Sequence, residues 1–254
     1  MKIIVAIKQV PARDSNIHIA PGGKWIESQD LSFEINEPDA YALEAALLLK
    51  EKHGGEVVVL CAGPDRAAST IREALAKGAD RAIHVRCEGL ESLDTLAVAR
   101  LLAAAVRDEY ADLILTGLQS DDLGLGQTGV VLAEILQLPH ASIVMEVETH
   151  EMSVRVKREL EDGWFQWVGM PLPALLTIQS GISKLRYATL MGIKKAKTKE
   201  VRAVNAGTPG DNPSASLERV YAPERRKQTR LIDGGPEEAA AELVEVLRSE
   251  VRVL

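Results

Sequence analysis

With 254 residues, 46% of them hydrophobic and 26% charged, the chain can bury one large core, which excludes a disordered or membrane-spanning protein. Its 30 Lys and Arg against 37 Asp and Glu give a formal net charge of −7 with no broad basic face, a balance that argues against nucleic acid as a partner. Cys61 and Cys87 are too few and too isolated for a zinc site or a disulfide framework, and Cys61 reads as a small buried hydrophobe.

The chain opens on MKIIVAIKQV, a short apolar run closed at once by Lys8. That is the pattern of a first buried strand over 3–7 rather than a signal peptide, and it places the protein in a cytoplasm-like compartment. Ile17, Ile19, Trp25 and Ile26 flank a Pro21-Gly22-Gly23 turn and read as an inserted hairpin. Short β-branched runs at 56–63, 81–85 and 112–117 then alternate with helical patterns at 39–52, 66–77, 93–109 and 127–137. This order predicts an α/β fold, a doubly wound, mostly parallel sheet of the Rossmann-like, nucleotide-binding kind.

Beyond residue 140 the runs SIVMEVETH, SVRVKREL and WFQWVGM read as antiparallel strands, followed by one more apolar strand in PALLTIQSG; together they predict an extension of the same sheet. From Glu200 the chain is rich in Gly, Pro, Asn and Ser without a sustained period, so residues 1–199 are expected to form the α/β domain and 200–254 a C-terminal arm. A last helix is predicted from Pro236, with Glu237 and Glu238 suiting its N-terminal dipole and Leu243, Val246, Leu247 and Val251 as an apolar stripe in need of a partner surface or the main domain.

Ligands of an open parallel sheet bind beyond the carboxyl ends of its strands. The strongest loop there is GLQSDDLGLGQTG, in which Gly117, Leu118, Gln119, Ser120, Asp121, Asp122, Leu123, Gly124, Leu125, Gly126, Gln127 and Thr128 lead to Gly129. Its glycines let the backbone approach a ligand, the following helix offers free N–H groups to a phosphate, and Thr128 adds a hydroxyl. It is neither a Walker A loop nor a GxGxxG fingerprint, and a phosphate cradle and an ordinary glycine-rich turn both remain open on these residues. Asp121 and Asp122 read as loop acceptors or nucleotide contacts rather than an acid/base couple. His18, His53, His84, His140 and His150 are scattered, so neither a catalytic residue nor a metal site is expected.

The segment 181–199, GISKLRYATLMGIKKAKTK, is basic through Lys184, Arg186, Lys194, Lys195, Lys197 and Lys199, with Tyr187 and Leu190 among the charges. It reads either as a solvated helix end or as a surface steered toward an acidic partner; Leu190 is either an interface anchor or the first core residue of a helix starting near Thr189.

RYATL followed by KKAK, together with VAIKQVP, NEPDAYALEAA, TIREALAKGAD, KREL and the Gln-Thr-Gly loop, resembles the β (small) subunit of electron-transfer flavoproteins along nearly the whole chain. The resemblance implies AMP against Ala6, Asn36, Glu37, Pro38, Asp39, Ala62 and the 117–128 loop; Asn36 and Asp39 also fit a simple helix-capping role. It implies FAD held mainly by an α subunit, with the stretch 10–16 covering one side. It further implies a docking surface that includes Lys184, Arg186, Tyr187, Leu190, Lys194, Lys195 and Lys197, Leu190 entering an apolar pocket of an acyl-CoA dehydrogenase or a related flavin dehydrogenase of fatty acid β-oxidation. Electrons would pass on to a membrane-linked quinone oxidoreductase.

The chain departs from the pattern at Asn36-Glu37-Pro38-Asp39, where Pro38 stands in place of an aromatic residue, and at Gly124-Leu125-Gly126, which replaces a more polar run and admits a larger nucleotide. The alternatives are therefore an electron-bifurcating β subunit with a second FAD in the AMP position, and a stand-alone adenine-nucleotide-binding regulator, against which the 200–254 segment speaks.

Overall fold

Alternate side chains of a strand point to opposite faces of its sheet, so a run such as Ile3-Ile4-Val5-Ala6 that is buried throughout requires helices on both faces. The computed structural model of the chain describes residues 1–205, 214–223 and 229–253. They divide into two compact units, Met1–Val220 and Tyr221–Leu254. In the first unit, β1 (Lys2–Ala6) is followed by a short antiparallel pair, β2 (Gln9–Pro11) and β3 (Phe33–Ile35), and by α1 (Glu37–His53). There follow β4 (Glu56–Gly63), α2 (Ala68–Lys77), β5 (Arg81–Arg86), α3 (Thr95–Val106), β6 (Leu113–Gly117) and α4 (Thr128–Leu136). Then come β7 (His140–His150), β8 (Ser153–Glu159), β9 (Phe165–Pro171), β10 (Ala174–Ile178), α5 (Leu190–Ala196) and β11 (Val201–Asn205).

These strands form a 9-stranded sheet in the order β11-β5-β4-β1-β6-β10-β7-β8-β9. Pairing is parallel from β11 through β7 and antiparallel between β7 and β8 and between β8 and β9. The sheet is doubly wound, as the sequence predicts. Ile3, Val5, Val57, Val59, Leu113 and Leu115 face one core shared with Leu43, Leu47, Ile71 and Leu75 of α1 and α2. Ile4, Val58, Leu60, Ile83 and Ile114 face the other, shared with Ala99, Leu102, Ala103, Leu132 and Ala133 of α3 and α4.

The element boundaries have local causes. α1 starts two residues before the predicted position because Pro38 fits a first helical turn and Glu37 and Asp39 suit its dipole. α3 starts at Thr95 rather than 93, where Asp94 accepts from Ala97 N at 2.8 Å, and it closes in a single 3₁₀ turn, Arg107–Glu109. The predicted hairpin reduces to one bridge, Ile19 to Ile26, across the Pro21-Gly22-Gly23 turn, where Gly23 takes φ +62°. The apolar strand predicted after the antiparallel run is β10, inserted between β6 and β7. All five of its residues are buried, which a position beside the half-exposed edge strand β9 could not supply.

Val201–Asn205, the start of the segment read as an arm, is an edge strand paired with β5. Much of that Gly- and Pro-rich stretch, residues 206–213 and 224–228, lies outside the described residues. In the second unit, α6 (Pro236–Ser249) starts at the predicted proline, with Gly235 N donating to Glu238 Oε2 at 3.1 Å and Arg230 paired to Glu242 at 2.6 Å. No residue of α6 is buried.

Candidate functional site

From β1 the chain adds β4, β5 and β11 on one side and β6, β10 and β7 on the other, so the strand order reverses between β1 and β6. The carboxyl ends of these two strands bound the crevice in which open α/β sheets bind ligands. Ala6 ends β1 and Ala62 lies near the end of β4, both against the core on the α3 and α4 side. Gly117 ends β6 and begins the glycine-rich loop.

Asn36 and Asp39 tie this loop to the opposite wall. Asn36 stands at the N-cap position of α1 yet makes no cap bond; its Nδ2 donates to Gln119 O at 2.9 Å and its Oδ1 accepts from Asp121 N at 2.8 Å. Asp39 accepts from Lys8 N at 2.7 Å and Gly117 N at 2.9 Å, joining the chain just past β1 to the end of β6. The capping alternative for both residues is thus replaced by a bridging one. Burial pushes the Asp39 carboxyl up to about 7, against the opposing pull of its N–H bonds. A side chain at Gly117 would collide with Asp39, so the bridge requires glycine there. Pro38 is buried beside the same strand end.

The loop acids are neutralised in place. Asp122 pairs with Lys8 at 2.6 Å, while Asp121 accepts from Glu37 N at 3.2 Å and lies 3.6 Å from Arg13, which also pairs with Glu37. Lys8 Nζ reaches Ser120 Oγ at 3.5 Å. Leu118 N donates to Ile178 O at 2.9 Å, whereas Leu123 and Leu125 are exposed. Gly124 and Gly126 take φ +63° and +64°, the left-handed region that favours glycine. α4 opens at Thr128 with Gln127 before it and no side-chain cap, leaving N–H groups of its first turn unfilled by side chains. Gly129 packs where a Cβ would collide with Thr116 and Thr177.

The basic segment divides into two roles. Arg186 is a fastener: its Nε and Nη2 donate to the buried Glu44 carboxylate at 2.9 Å, and its Nη1 to Glu51 at 2.7 Å. Both acids hold its guanidinium above its ordinary pKa. Lys184, Lys194, Lys195 and Lys197 are exposed. Tyr187 is 91% and Leu190 82% exposed, so Leu190 is not a core residue. Thr189 caps α5, accepting from Gly192 N at 3.0 Å.

The Electron transfer flavoprotein domain model matches residues 24–209. An electron transfer flavoprotein subunit beta from Methylophilus methylotrophus is 37% identical over 259 residues, covering 97% of this chain and 98% of its own. A Bacillus subtilis (strain 168) protein of the same name is 32% identical over 260 residues, covering both chains completely. The chain belongs to the electron transfer flavoprotein family. A mitochondrial member from Oryza sativa subsp. japonica is 34% identical over 262 residues, again across 100% of both chains.

Several residues that hold these loops in place are not legible in the sequence. Lys8 and Arg13 look like ordinary surface cations until the loop acids arrive beside them. Glu44 gives one legible signal, a carboxylate among the alanines and leucines of α1's buried face, which demands a cation such as Arg186. Among the described residues no cluster of three or more His, Cys, Asp or Glu is poised to hold a metal, and no helix is long and apolar enough to cross a membrane.

Proposed function

We propose that the chain is the β subunit of a heterodimeric electron-transfer flavoprotein working in the cytoplasm. It binds AMP as a structural ligand at the β1/β6 crevice and pairs with an α subunit that holds FAD. It docks on a flavin dehydrogenase of the acyl-CoA dehydrogenase type, for onward delivery of electrons to a membrane-linked quinone oxidoreductase. FAD supplies the redox chemistry; this chain supplies binding surfaces and a rigid frame.

The crevice suits AMP. Ala6 and Ala62 leave room at adjacent strand ends, and the uncapped first turn of α4 offers N–H groups to a phosphate. Lys8 and Arg13 offset Asp122 and Asp121, so the loop does not set bare carboxylates against the anion. The arm with its unburied α6 supports a heterodimer.

The observation that carries the docking role is Leu190, an almost fully exposed apolar side chain in a segment whose Lys184, Lys194, Lys195 and Lys197 are exposed as well. One desolvated apolar anchor carries much of the affinity in such contacts, while surrounding charge steers the approach. Leu190→Ala is expected to weaken electron acceptance from a medium-chain acyl-CoA dehydrogenase by about 30-fold in kcat/KM, as loss of a hot-spot anchor does, with flavin content unchanged. Unaltered transfer at limiting dehydrogenase would contradict the docking role.

A further inference from the structure

Helix α5 should not be stable by itself. It has 7 residues and buries only Ala196, while Met191 and Ile193, like Leu190, remain exposed at 62% and 46%. Helices shorter than about 12 residues are marginal in water, and α5 lacks the buried apolar face that normally compensates. What orders it lies at its ends and underneath.

Gly192 rests on α2, where a Cβ would stand inside van der Waals contact of Ala76 O. Arg72 of α2 donates through Nη1 to Ala196 O at 2.6 Å and Lys199 O at 2.8 Å, filling carbonyls at the end of α5. Lys199, just past α5, returns the contact: its Nζ donates to Leu75 O at 2.9 Å and to Ala79 O, at the end of α2. α2 thus lends a cation to carbonyls at and just beyond the end of α5, and the residue string after α5 lends one back to carbonyls at and just beyond the end of α2, where the helix dipole favours positive charge. Partial burial lowers the Lys199 pKa, the mark of an ammonium drawn into the protein rather than left in water.

We propose that Arg72 and Lys199 are positioning residues, which lock α5 onto α2 as a preformed platform and present Leu190, Met191 and Ile193 to the dehydrogenase in one orientation. The inference rests on the docking reading of Leu190. A surface ordered before encounter spares the complex the entropy of ordering it, and that saving appears in affinity rather than in the rate of the bound pair. Arg186, bonded to Glu44 and Glu51, fixes the other end of the segment to α1.

The test uses the full heterodimer with medium-chain acyl-CoA dehydrogenase as electron donor, and reads kcat and KM for the donor beside hydrogen exchange of amides 190–199. Arg72→Gln is expected to raise KM about tenfold, with kcat changed less than about twofold, and to speed exchange in this segment. Arg72→Lys, which keeps a cation on this face of α2, is expected to recover most of the loss. Gly192→Ala, which wedges α5 off α2 without touching charge, moves KM and exchange the same way.

If Leu190→Ala raises KM while Arg72→Gln and Gly192→Ala leave KM and exchange unchanged, positioning is refuted and docking stands. If Leu190→Ala has no effect, or the dehydrogenase fails to reduce the wild-type heterodimer, the docking reading falls and the inference with it.

Discussion

Arg186 and Leu190 stand in one basic segment and do different work, the first fastened inward and the second turned out. The sequence shows the charge of Arg186 but not its use, because Glu44 is 142 residues away. Asn36 and Asp39 are ambiguous for a similar reason: a polar residue at a helix start caps by default, and only the arrival of the 117–121 loop and Lys8 N redirects them. Asp39 carries a pH prediction. Its folded pKa, raised by burial to about 7, exceeds the ordinary 3.8, so the folded state holds a proton that the unfolded state has released. Stability from this group is therefore full below pH ~4, falls as pH rises, and levels off above ~7, by up to about 4 kcal/mol. Denaturant titrations of wild type and Asp39→Asn between pH 4 and 8 should show that slope flattened in the variant; parallel slopes would contradict it.

At the scale of elements, β1, β4, β5 and β6 were legible because a short β-branched run bounded by glycine or charge has few other readings. The place of β10 was not, since chain order says nothing of an insertion between β6 and β7; complete burial of all five residues decides it. The edge strand β11 was also missed, its half-exposed Val-Arg-Ala-Val-Asn pattern being indistinguishable from loop. Its Arg202 joins a charge network at the amino ends of the strands. Glu109 pairs with Arg81 of β5 at 2.6 Å, Arg202 of β11 at 2.8 Å and Lys2 of β1 at 3.5 Å. Arg81 holds the Glu109 carboxyl below its usual range. A depressed carboxyl contributes above its unfolded pKa and loses that contribution as pH falls through its folded one, so the network weakens below pH ~4. Glu109→Gln should cost about 1 kcal/mol at pH 7, discounted for solvent screening, and less at pH 3. A cost that is equal at both pH values, read from thermal melts, would argue against the network.

On the scale of the whole molecule, two helical layers on a doubly wound sheet set the crevice between β1 and β6, while α5 projects its apolar side chains to solvent. α6 likewise leaves Leu243 exposed and has no buried residue. Deleting residues 236–254 is expected to lower recovery of the α subunit on co-purification severalfold, whereas full recovery would place heterodimer contacts elsewhere. The nucleotide content of the purified heterodimer, extracted and quantified, is the most direct test of the account as a whole. It predicts one FAD and one AMP per heterodimer. Two FAD, or AMP without a FAD-bearing partner, would contradict it.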